Sequence, residues 1–111
     1  MDKVKKEFPD FDDLESFEKI LNALKGEGFE DHSWHNDAMP CVLKDCGNDF
    51  HLVIWVDYKN PDLAEFVDER NDGSMKQFMF GERDQDGEYT ETYEYDDADK
   101  MIADVKKILN A

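Results

Sequence analysis

Three histidines and two cysteines are the side chains of this 111-residue chain best suited to nucleophilic or soft-metal chemistry. His32, His35, Cys41 and Cys46 fall within fifteen residues of one another, and all are of zinc-ligand type. Strong zinc signatures pair such ligands at short fixed spacings, yet His32 and His35 sit three apart in a stretch with strand character, where alternation sends them to opposite faces. Cys41 with His32, His35 or His51 would make a nucleophile and base, but any chain with this many Cys and His offers such pairs. No glycine-rich phosphate loop, nucleophile elbow or His-Glu-x-x-His pattern is present. The expectation is no enzyme, no catalytic residue, no metal and no cofactor, with Cys41 and Cys46 as free thiols.

Carboxylates are the dominant chemistry. Asp and Glu number 29 against 13 Lys and Arg, for a formal charge of -16. With so many acids, a pair suited to acid-base work arises by chance and identifies nothing. Glu82-x-Asp84-x-Asp86-Gly87 resembles the first half of a calcium-binding EF-hand loop. Tyr93 stands where that loop's closing glutamate belongs, and the flanks read as strands. An Asp-Gly hairpin turn explains the same residues more simply.

The charge is unevenly distributed. Glu82, Asp84, Asp86, Glu88, Glu91, Glu94, Asp96, Asp97 and Asp99 are nine acids in eighteen residues, opposed only by Arg83. A second cluster, Glu7, Asp10, Asp12, Asp13, Glu15 and Glu18, contains no Lys or Arg before Lys19, and a third, Asp57 to Asp72, is mixed with Lys59 and Arg70. Lysines gather near the chain ends. Such a surface repels itself, stays soluble, attracts basic partners and disfavours direct contact with nucleic acid or anionic membrane. Strand neighbours on one face lie roughly 6.6 Å apart, helical neighbours about 5 to 6 Å, and duplex phosphates rise about 3.4 Å per strand. An array of carboxylates can therefore approximate a run of phosphates. A solvated face serving solubility alone is the plainer account of the same residues.

These groups need a scaffold, and 111 residues with 40% apolar and 13% aromatic content suit one folded domain spanning 1–111, with 1–8 free to be flexible. Asp10 can cap a helix starting near Phe11, with Leu14, Phe17, Ile20, Leu21 and Leu24 on one stripe and Gly26 and Gly28 ending it. Strand character follows at 29–35, 41–44 and 50–58, the last apolar on almost both faces as befits a central strand. Asn60-Pro61-Asp62 opens one or two helical turns in which Leu63, Phe66 and Val67 form an apolar face. Strands over 75–81 and 88–95 flank Asp84-Gln85-Asp86-Gly87, with Tyr89, Tyr93 and Tyr95 on one strand face. Asp96 or Asp97 caps a last helix whose inner stripe is Ala98, Met101, Ile102, Val105, Ile108 and Leu109. Trp55 reads as core, whereas Trp34, beside a turn, suits either core or interface.

The order helix, three strands, short helix, two strands, helix points to an α+β domain. A largely antiparallel five-stranded sheet should carry both long helices on one face, two smaller sheets being the alternative. The longest apolar run is Leu52 to Val56, against about 20 residues for a membrane span. No apolar segment follows the basic start, so a cytoplasmic location is expected. Self-repulsion favours a monomer.

The function these features suggest is a small acidic inhibitor, without catalysis, that covers the nucleic-acid-binding surface of a basic partner. In size, charge and missing motifs it is similar in character to phage DNA mimics of the anti-CRISPR and anti-restriction kind. An immunity protein or antitoxin neutralising a basic nuclease toxin would use the same physics, and a calcium- or zinc-binding module is a further alternative. The nine acids from Glu82 to Asp99 are the expected partner-binding surface.

Overall fold

Val4, in a stretch rich in lysine, is fully buried. The computed structural model describes residues 3–110, and Val4 lies there in a short helix, α1 (Lys3–Glu7), that the sequence pattern does not announce. The apolar pair Val4 and Phe8 anchors this segment in the core. The first long helix, α2 (Leu14–Leu24), begins later than the expected Phe11. Asp13 is its cap, accepting the Ser16 N–H at 3.3 Å. Asp12 cannot join the helix, because its carboxylate accepts the backbone N–H groups of Lys59 at 2.7 Å and Asn60 at 2.8 Å. Phe11 is instead a core residue of the preceding loop.

Five strands follow: β1 (Glu30–Asp31), β2 (Cys41–Asp45), β3 (His51–Val56), β4 (Phe78–Arg83) and β5 (Tyr89–Tyr95). They form one sheet in the order β1-β2-β3-β4-β5 with every pairing antiparallel, so the two-sheet alternative does not hold. Only two residues of the expected first strand, 29–35, remain in the ladder. Asp31 turns the chain away, its carboxylate accepting the Ser33 N–H at 2.9 Å and the Val4 N–H at 3.0 Å. Between β3 and β4 the chain makes a 3₁₀ turn, Pro61–Leu63, and helix α3 (Val67–Asp72). Helix α4 (Ala98–Leu109) closes the fold under an Asp97 cap.

Alternation divides the sheet into two unlike faces. Val42, Leu52, Ile54, Val56, Phe78, Phe80 and Tyr95 point toward the helices, where Val4, Phe17, Ile20, Leu24, Ala98, Met101 and Val105 complete one core. Each buried Phe, Ile or Leu there contributes about 1.5–3 kcal/mol of transfer free energy. Leu109 continues the α4 stripe at the core margin, one helical turn beyond Val105, while Ile108 is exposed rather than inward. The opposite face carries Cys41, Val53, Trp55, Met79 and Gly81, while the long helices α2 and α4 pack on the first.

One irregularity matters for function. Glu82 pairs with Glu91 but Arg83 pairs with Tyr89, which leaves Thr90 as the extra residue of a β-bulge. Bulges reverse the alternation, so Tyr89 faces away from the helices while Tyr93 and Tyr95 face toward them. The three tyrosines therefore do not share a strand face.

Candidate functional site

Built up from the backbone, the nine expected acids form a line rather than a patch. Asp84, Asp86 and Glu88 occupy the β4–β5 turn, and Asp96, Asp97 and Asp99 start α4 at the other end of β5. At roughly 3.3 Å per residue, the strand separates these groups by about 20 Å. Glu91 and Glu94 lie between them on opposite faces, Glu91 with Tyr93 on the helix side and Glu94 with Met79 on the other. No Lys or Arg interrupts the chain between Arg83 and Lys100.

Five of the nine have structural duties. Asp84 accepts the N–H groups of Asp86 at 2.9 Å and Glu88 at 3.1 Å, which builds the turn. Asp97 accepts the Asp99 N–H at 3.0 Å as the α4 cap. Glu94 accepts the Lys76 N–H at 3.0 Å, Asp96 lies 3.7 Å from Lys76 Nζ, and Asp99 lies 3.4 Å from Lys19 Nζ. The side chains of Glu82, Asp86 and Glu88 make no hydrogen bond or ion pair among the described residues. Glu82 stands directly opposite Glu91 on the helix-side face. Like charges in that position repel. The field of Glu91, with loss of hydration, a Glu91 hydrogen bond and Glu82 adding to it, raises the Tyr93 hydroxyl above its ordinary range.

The second acidic cluster is mostly architecture. Asp12 and Asp13 are committed as above, Asp13 also accepting from Gln77 Nε2 at 2.7 Å. Glu7 holds His35 through both the ring Nδ1 at 2.8 Å and the backbone N–H at 3.1 Å, contacts that lower the Glu7 pKa. Glu18 lies 3.8 Å from Lys5. Several of the acids thus satisfy backbone donors as well as carrying charge.

Beside β5, the face opposite α2 and α4 holds an apolar groove of about 360 Å³. Trp55 and Met79 form its floor, Met39 one wall, Phe66 and Met75 another, and Tyr89 the wall toward β5. Sequence patterning missed this site for two reasons. Trp55 and Met79 read as ordinary strand interior, and Phe66 as the inner face of a short helix, whereas Phe66 is 41% exposed. The segment bearing Phe66 and Met75 is fastened by Arg70, whose Nη1 lies 2.8 Å from Asp57 Oδ2, both side chains being buried. Gln77 joins this network by donating to the Asp57 carbonyl at 3.2 Å as well as to Asp13.

The metal and thiol candidates are dispersed. His32 and His35 lie beyond β1, outside the ladder, and Cys41 is buried while Cys46 is exposed. Among the described residues, no group of three or more His, Cys, Asp or Glu is placed to hold a metal ion. Burial, aided by Asp37, pushes the Cys41 thiol up to about 12, so it is not an activated nucleophile. Trp34 is 52% exposed, with its ring 5.8 Å from that of His35. No described helix is long and apolar enough to cross a membrane. Comparison with protein-family models, curated proteins and solved structures finds no match.

Proposed function

We propose that this protein is a small acidic inhibitor that acts without catalysis by covering the nucleic-acid-binding surface of a basic partner, in the manner of an anti-CRISPR or anti-restriction DNA mimic. The observation that carries this reading is the Glu82 and Glu91 pair: two like charges directly opposite on one sheet face, with no cation paired to either among the described residues. Like charges in this arrangement repel, at a cost in stability. With Asp86 and Glu88 it extends a line of carboxylates along one sheet edge, suited to a surface that expects phosphates. Opposite charge would speed association, and the neighbouring apolar groove would supply contact area that charge alone lacks.

The experiment immobilises the protein, challenges it with an extract of its host, and elutes with duplex DNA at constant ionic strength. Nucleic-acid-binding proteins released by DNA, and not retained by a Glu82→Lys, Asp86→Lys, Glu88→Lys, Glu91→Lys variant, are the expected result. Retained proteins that DNA does not displace, or retention indifferent to the four substitutions, would overturn the reading. A displaced nuclease toxin would make the protein its immunity partner.

A further inference from the structure

β5 ends the sheet, and its outer edge is open. Beyond the β4 ladder, none of its backbone groups bonds to another segment among the described residues, and six of its seven residues are exposed. An edge of this length is a template for another strand. Two features block self-pairing: the Thr90 bulge, and the run Glu88, Glu91, Glu94 and Asp96, which a second copy would meet with the same charges. The charges do not repel a strand carrying lysine or arginine, and past the bulge the ladder from Glu91 to Tyr95 is regular. Charge therefore selects the occupant.

The groove lies against the same strand, with Tyr89, Thr92 and Glu94 forming its β5 wall. A strand added to β5 would run about 4.8 Å from it, and every second side chain would fall on the groove face. Apolar side chains at those positions would pack on Tyr89 and Thr92, and Tyr89 carries the contact inward through its hydrogen bond to Trp55. The intervening side chains fall on the Glu91 face, and the ends of the added strand reach the acids of the turn and of the α4 start.

We infer that β5 is a docking edge for an extended basic segment of the partner protein, one that adds a strand to the sheet and packs apolar side chains against the Tyr89 wall of the groove. This rests on the reading that the partner is basic, and it assigns the form in which that partner binds. Backbone pairing would provide affinity, the carboxylates would select for lysine or arginine, and the groove would set the spacing of apolar positions.

The test uses a short synthetic peptide alternating lysine with valine and leucine, its N-methylated counterpart, and amide resonances of the full chain. The expected result is new exchange protection at alternate β5 amides and a shift of the Trp55 indole resonance. N-methylation of the pairing amides should weaken binding at least roughly tenfold. Binding indifferent to N-methylation, with shifts confined to the Asp84–Gly87 turn and the α4 start, would overturn the inference, as would no binding. If the peptide fails while DNA still displaces the retained host proteins, only the docking edge is lost. If the peptide docks while DNA displaces nothing, only the mimic reading is lost.

Discussion

Trp55 Nε1 donates a hydrogen bond to Tyr89 Oη at 2.7 Å, joining β3 to β5 across the back of β4. Two local features make this contact possible. The Thr90 bulge turns Tyr89 to this face, and Gly81 leaves its ring room to lie flat: a β-carbon there would come within 2.7 Å of Tyr89 Cδ1. Gly81→Ala should therefore swing Tyr89 outward, lose that hydrogen bond at a cost of about 1 kcal/mol, and open the groove toward β5. Urea unfolding measures the loss, and a red shift of Trp55 emission, read in a Trp34→Phe background, reports the opened groove. Unchanged emission would show that Tyr89 does not cover Trp55.

Arg70 and Asp57 form the most deeply buried ion pair among the described residues, with side chains 6% and 2% exposed. Removing one partner strands the other charge away from water, so Arg70→Met should destabilise the protein by about 3–5 kcal/mol. Adding Asp57→Asn should recover part of that loss, since the stranded charge is then gone. A double-mutant cycle by urea unfolding is the measurement. Equal loss in the single and double variants would mean that Arg70 contributes packing alone.

Periodicity made the long elements legible. The stripes of α2 and α4 and the apolar run of β3 locate the core, because burial of their side chains determines which face turns inward. Boundaries were less legible wherever aspartates compete for one role. Asp10, Asp12 and Asp13 are alike in sequence, and only the approach of Lys59 and Asn60 to Asp12 leaves Asp13 as the cap. The shortening of β1 has the same origin, since Asp31 bonds to Val4, which is distant in sequence. The acidic line from Glu82 to Asp99 could be read directly, but the duties of Asp84, Glu94 and Asp97 could not. The groove escaped because it joins β3, β4, β5 and two loops, and its β5 wall depends on a bulge that no residue type announces.

The two cysteines should differ sharply in reactivity. Cys46 is exposed and should react quickly with a disulfide reagent at neutral pH, whereas Cys41 should react only at the rate of opening or unfolding. The shift also predicts an alkaline trend. Cys41 rises from 9.0 to about 12, so the stability it contributes is complete below about pH 9 and is lost as pH climbs toward 12. Tyr95, raised from 10.0 to about 12 chiefly by burial and by its contact with Asp104, adds to the same trend at a higher onset. Cys41→Ala should flatten the decline between about pH 9 and 10 and leave a shallower one above about pH 10, where Tyr95 still contributes. An unchanged slope in that interval would exclude the thiol as its cause.

Glu82 and Glu91 set stability against binding. Because they oppose each other on one face with no paired cation among the described residues, Glu82→Gln should raise stability by a few tenths to about 1 kcal/mol. Once one charge is gone the repulsion is gone, so Glu82→Gln with Glu91→Gln should gain little beyond the single change. Affinity for the lysine-alternating peptide should fall in both variants, and its dependence on salt should weaken with it. Asp97→Ala provides the contrast: losing the α4 cap should cost about 1 kcal/mol. A residue kept for the fold loses stability when neutralised, and one kept for a partner gains it. If Glu82→Gln instead destabilises the protein while leaving peptide affinity intact, the pair belongs to the architecture and the acidic edge loses its strongest claim to a partner.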